Sequence, residues 1–221
     1  MKNKKGSLTM MIIASVGYLL FCSSIPSFLA MILDEIYPWG LNNYYAVLSL
    51  LAGMVYVTIL YKKSGEKIEL FSNVTGRGIL EALVIGVVLF AVINFIVSPA
   101  LGIVFTTSRD NYAQNVEAMY ETPIATFFQV VIIAPLWEEL IFRGFLLKRE
   151  LRYRSQFVAI VLVAFFFGLL HMSVVQGISA FAAGLILCLF YAKRRSVGLT
   201  VMAHSFYNAL AYVLMVVATG N

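Results

Sequence analysis

The sequence predicts an all-α, polytopic membrane protein, a bundle of about seven transmembrane helices in a single membrane domain. Three observations lead there. Of 221 residues, 61% are hydrophobic and only 12% are charged, against about 25% charged in a soluble domain. So little charge cannot cover a water-soluble globule, which excludes a cytosolic enzyme, a secreted disulfide scaffold and a disordered chain. The apolar residues form continuous runs of about 20, the length that crosses about 30 Å of hydrocarbon as a helix, without the alternation of barrel strands. The basic residues, finally, fall in every second connection between those runs.

The runs lie near 8–32, 44–61, 79–105, 124–147, 156–175, 177–192 and 197–218. The first follows Lys2, Lys4 and Lys5. It is too long for a signal-peptide core and lacks a small-x-small cleavage site, so it reads as an uncleaved helix, with a kink expected at Pro26. Leu-Leu-Phe-Cys at 19–22 is not a lipoprotein box, because Phe21 is too bulky before the cysteine. The second and third runs hold few polar groups beyond Asn94 and scattered hydroxyls, and Glu81 falls at an interfacial end. Residues 1–119 therefore read as supporting helices 1–3 and an outer loop, and 120–218 as the part that carries chemistry. The fifth and sixth runs are expected to meet across a tight turn at Gly177. Cys22 and Cys188 both lie in apolar runs and read as small core residues away from the polar cluster, with no disulfide.

Loop charge sets the orientation. Segments 1–6, 62–78, 148–155 and 193–196 contain all but two of the 16 Lys and Arg residues. The opposite loops hold Arg109 with Asp34, Glu35, Asp110, Glu117 and Glu121, and Arg143 lies inside a run. The positive-inside rule then puts the N-terminus in the cytoplasm and the C-terminus outside. Because the net charge of +5 follows the topology instead of gathering on one basic face, no nucleic-acid partner is implied.

An ionisable side chain near the middle of a span costs about 2.5–3.5 kcal/mol to insert. The fourth run carries three within six residues: Glu138, Glu139 and Arg143. The only two histidines, His171 and His204, also fall in runs, and Asn208 follows His204 by four. Glu139 and Arg143, four apart on one helix face, can neutralise each other. Glu138 is rotated about 100° away and can point elsewhere. His204 and Asn208 share a face, and Phe167 packs one turn below His171. The simplest picture is a polar pocket among helices 4, 5 and 7. Counting about 1.5 Å per residue from the cytoplasmic ends puts Glu138 about 15 Å deep, His204 about 10 Å and His171 about 22 Å, a mismatch that a tilted fifth helix, or one that starts in the cytosol, would narrow.

A carboxylate beside two imidazoles and an amide suits the addition of water to a carbonyl. There is no Gly-x-Ser-x-Gly elbow, Ser–Lys pair or His-Glu-x-x-His helix, which leaves water as nucleophile. Glu138 would be the general base, His171 would orient or deprotonate the same water, and His204 and Asn208 would donate hydrogen bonds to the oxyanion.

Glu138-Glu139-x-x-x-Arg143, Phe167-x-x-x-His171 and His204-x-x-x-Asn208, in this order on three apolar helices, resemble the CAAX protease and bacteriocin-processing (CPBP, or Abi) family, related to type II CAAX prenyl endopeptidases. The resemblance covers roughly 120–218. It implies an intramembrane endopeptidase with Glu138 and His171 in the base positions and His204 and Asn208 as oxyanion partners, while Glu139, Arg143 and Phe167 support them. The family is often labelled a metalloprotease, and Glu138, His171 and His204 would be the ligands of a His₂Glu zinc site. The depth mismatch and the placement of Asn208 favour metal-free hydrolysis. The implied substrate is a peptide or a membrane protein, and the small size and Lys-rich N-terminus suggest a bacterial cell membrane. Two other readings stay open: a non-proteolytic partner of the same fold (bacteriocin immunity or sensor-kinase modulation), and a proton-coupled transporter. The latter is weakened by the missing inverted repeat.

Overall fold

The computed structural model describes residues 5–110, 122–171 and 173–219. Lys2, Lys4, Glu117 and Glu121, which entered the charge argument, lie outside the described residues. Every regular element among the described residues is helical. Helix α1 runs over 5–36, α2 over Leu41–Ser64, α3 over 76–104, α4 over 123–150, α5 over Gln156–Leu169, α6 over Val174–Arg194 and α7 over Val197–Thr219. Five helices are long and apolar enough to cross a membrane: Leu8–Ile36, Leu41–Ser64, Gly76–Val104, Val174–Arg194 and Val197–Val217. The protein is thus an all-helical, polytopic membrane protein.

Prolines shape three of the helices. Pro26, Pro99 and Pro135 each sit two residues past the end of a π-helical turn, at Leu19–Ser24, Ile93–Val97 and Phe128–Ile133 respectively. A proline inside a helix lacks its N–H, and its ring collides with the carbonyl four residues back. Here the preceding residue bonds five residues back instead, Ile25 to Leu20, Ser98 to Ile93 and Ala134 to Gln129. The chain thus meets the expected disruption at Pro26 with a π turn and continues as helix on its far side.

Helix α4 forms the centre. All residues from 137 to 147 are buried, whereas α1 and α3 expose large apolar side chains such as Phe28, Val84 and Ile96. Wrapping α4 in other helices keeps its charges out of lipid, the physical requirement for carrying them at all. Tyr61 of α2 donates to the Leu140 carbonyl at 2.7 Å. That approach requires glycine at 144, where a Cβ would stand 2.5 Å from the Tyr61 hydroxyl.

The α5–α6 hairpin turns earlier than the sequence suggests. The connection is at 170–173, and Gly177 lies inside α6. Its role is packing: a Cβ on Gly168 would come within 2.7 Å of the Gly177 carbonyl, so the two glycines let the backbones touch. Helix α5, at 14 residues, is correspondingly short.

The loops expected to be cytoplasmic meet at one end. Lys148 donates to Glu69 at 2.7 Å, Arg152 pairs with Glu66, and Asn73 donates to the Arg195 carbonyl at 3.0 Å. The Lys148 ammonium, chiefly through that hydrogen bond, holds the Glu69 carboxyl below its ordinary range.

Candidate active site

Glu138 and Glu139 stand where α4 passes from the α-helical Ala134–Glu139 into a π-helical stretch, Leu140–Leu147. Such π segments occur often at functional sites. Arg143 lies within it and donates from Nη1 to Glu139 Oε1 at 2.8 Å, with both side chains 0% exposed. The pairing expected from their spacing is therefore present. Arg143 Nη2 also donates to the Gly184 carbonyl at 3.2 Å, and its guanidinium carbon sits 4.6 Å from the Phe167 ring centroid.

His204 of α7 reaches both carboxylates. Its Nδ1 is 2.9 Å from Glu139 Oε1, and its Nε2 is 3.9 Å from Glu138 Oε2. An ionised carboxylate only accepts, so Nδ1 carries the hydrogen, and Nε2 faces Glu138. Donation from Nε2 to an oxyanion accordingly needs the doubly protonated ring. Glu138 itself, 9% exposed, accepts from the Tyr18 hydroxyl through Oε1 at 2.6 Å.

His171 falls in the turn after α5, not within a helix. Its Nδ1 lies 3.0 Å from the Phe167 carbonyl. A carbonyl cannot donate, so Nδ1–H is the donor, and in the neutral ring Nε2 is then the acceptor. This bond folds the imidazole back over the end of α5 onto the Phe167 ring, 5.2 Å between centroids, while the His204 ring is 6.1 Å from the same phenyl. Phe167 is the hub of the site, also set edge-on to Phe142 at 5.2 Å.

Asn208 donates from Nδ2 to the Val130 carbonyl at 2.7 Å. In the π register of Phe128–Ile133, the amide that would serve Val130 belongs to Pro135, which has no N–H. Asn208 satisfies the carbonyl that proline leaves over, and its second N–H remains available.

Two residues escaped the sequence reading. Tyr18 comes from α1, which had been assigned only a supporting part, and no spacing rule links it to Glu138 across 120 positions. Cys188 is free and buried, and its thiol interacts with Arg143, so it does not lie away from the cluster as expected. Among the described residues no three His, Cys, Asp or Glu side chains converge in a way that could hold a metal ion. As they stand, Glu138, His171 and His204 do not fit a three-ligand zinc site.

Fold and site define an all-helical membrane protein with a buried carboxylate–imidazole network at its centre, and the network of Glu138, Glu139 and His204 is consistent with a catalytic carboxylate–imidazole site. Residues 120–210 match the family described as type II CAAX prenyl endopeptidase Rce1-like. The chain therefore carries a CAAX-protease-like domain over part of its length, in support of membership of the CPBP/CAAX superfamily. No curated protein and no solved structure matches the chain significantly. The matched region spans α4 to most of α7 and leaves α1, with Tyr18, outside it.

Proposed function

We propose that this protein is an intramembrane endopeptidase that hydrolyses a peptide bond with water activated by Glu138 and His171. The observation that carries the reading is the buried chain Glu138–His204–Glu139, lying within the stretch that matches the endopeptidase family. Tyr18 engages Oε1 of Glu138, leaving Oε2 for a water. That carboxylate takes a proton as the water oxygen bonds to the substrate carbonyl carbon. His171 Nε2, with its lone pair free, orients the same water. Protonated His204 and the second N–H of Asn208 donate to the oxyanion. Collapse of the tetrahedral intermediate breaks the C–N bond, and Glu138 returns its proton to the leaving amine. Glu139, Arg143 and Phe167 hold the bases in place, and no step is routed through a metal ion.

In this reading residues 120–218 form the catalytic part and 1–119 support it. The chain makes seven spans in a bacterial cell membrane, N-terminus inside and C-terminus outside, and the substrate is a peptide or membrane protein. The test compares secreted and membrane peptides, by mass spectrometry, between wild-type cells and cells carrying Glu138→Gln or His171→Ala. Both variants should accumulate in the membrane and lose the cleaved products. Full retention of biological activity by both would leave a non-proteolytic partner role. Loss of activity on chelation, restored by zinc, would overturn the metal-free mechanism.

A further inference from the structure

Away from the polar centre, α3 and α6 diverge to leave a groove of about 580 Å³. Its walls are apolar, with Leu80, Val84 and Ile85 on one side and Ile186, Leu189 and Phe190 on the other. Leu80, Val84 and Leu189 are exposed, while Phe190 is buried. At one end stand Arg77, Glu81 and Lys193.

The charges at that end do not balance. Glu81 accepts from both Nε and Nη2 of Arg194, lies 3.3 Å from Arg77 Nε and 3.5 Å from Lys193 Nζ. Three cations share this single carboxylate, an excess of two positive charges. The Arg194 fork occupies both oxygens of Glu81, whereas the side chains of Arg77 and Lys193 are 85% and 68% exposed. Both side chains thus keep surface open to a further anion, and they line the same groove as the apolar residues of α3 and α6. Like charges held this close repel one another, and an added anion relieves the repulsion.

We propose that this groove binds one anionic phospholipid, its phosphate at Arg77 and Lys193 and an acyl chain along the trough between α3 and α6. The two halves of the site match the two halves of that molecule. A water-soluble phosphate would use the cations and leave the trough unfilled, and a neutral lipid would fill the trough and leave the charge excess. Cationic sites at the membrane surface, between helices, draw anionic headgroups with a gain equivalent to about fivefold in binding per Lys or Arg. The inference does not depend on proteolysis.

The full chain, purified in detergent, is titrated with phosphatidylglycerol or with phosphatidylcholine of the same acyl chains, and bound lipid is counted by native mass spectrometry. One phosphatidylglycerol should be retained at least about fivefold more strongly than phosphatidylcholine. Arg77→Gln with Lys193→Gln should abolish the preference. Lys62→Gln with Lys63→Gln, which removes two cations elsewhere at the same end, should not. Val84→Trp, at an exposed position on the trough wall, should weaken retention of both lipids with the cations intact. Equal retention of the two lipids by the wild type, an unchanged preference in the Arg77/Lys193 variant, or displacement by millimolar inorganic phosphate would overturn the proposal. Thermal unfolding of each variant in the same detergent separates loss of the site from loss of the fold.

Discussion

Arg143→Met strands the Glu139 carboxylate in the centre of the bundle. In the native chain, that carboxylate receives Arg143 Nη1 at 2.8 Å and His204 Nδ1 at 2.9 Å on the same oxygen, and neither Glu139 nor Arg143 has any exposed surface. An exposed ion pair would contribute about 0.2–1 kcal/mol. Breaking a buried pair from one side costs about 3–5 kcal/mol, because the remaining carboxylate keeps its His204 hydrogen bond but loses the guanidinium that balances its charge and gains no water in its place. Burial decides between these figures, and 3–5 kcal/mol is the expected loss. Most of it should return in the double variant Glu139→Gln with Arg143→Met, which removes both charges and keeps a side chain able to accept from His204 Nδ1. The assay is reversible denaturant unfolding in mixed micelles at neutral pH, for the wild type, both single variants and the double variant. A loss below about 1 kcal/mol for Arg143→Met would refute the burial argument. A double variant as unstable as the single one would refute the stranded-charge explanation.

Other outcomes follow from the same contacts. Tyr18→Phe keeps the ring against Phe142 and removes the hydroxyl from Glu138; a hydrogen bond to a charged group is worth about 1.5–3 kcal/mol, so product formation should fall about tenfold to hundredfold, in kcat and not in KM. Asn208→Leu leaves the Val130 carbonyl without its donor and should lower stability by about 1–3 kcal/mol in the same unfolding assay, where Asn208→Gln serves as the comparison. Gly168→Ala forces a Cβ against the Gly177 carbonyl and should cost about 1–3 kcal/mol as overpacking, with altered tryptic cleavage near the α5–α6 turn as a second readout. Because Lys148 holds the Glu69 carboxyl low, its contribution is complete above the ordinary carboxylate range and is lost as pH falls through and below it. For this exposed pair the difference between wild type and Lys148→Gln should be at most about 1 kcal/mol at neutral pH and should vanish in acid.

The helices were legible because crossing lipid demands unbroken apolar runs, and the run near 44–61 falls within Leu41–Ser64. The ends were less legible. Hydropathy continues through 170–175, yet α5 stops at Leu169, and the hairpin it makes with α6 packs Gly168 against Gly177. The pairing of Glu139 with Arg143 followed from helical spacing alone. The contact of His204 with that pair did not, because it depends on how α7 is rotated against α4. Tyr18 was invisible for the same reason, as a hydroxyl in an apolar run has no periodic signature until a neighbouring helix supplies its acceptor.

What the amino-acid order determined by itself was local and one-dimensional: which stretches enter the membrane, which loops carry the positive charge, and which polar groups must find partners inside. The energetic penalty for bare polarity in hydrocarbon makes those features readable without coordinates. Only the tertiary structure decided who the partners are. It brought Tyr18 to Glu138 and His204 to Glu139, contacts that depend on how the helices are rotated against one another, and it gave Asn208 the Val130 carbonyl that Pro135 leaves without a donor. Those are properties of packing, and no single segment contains them.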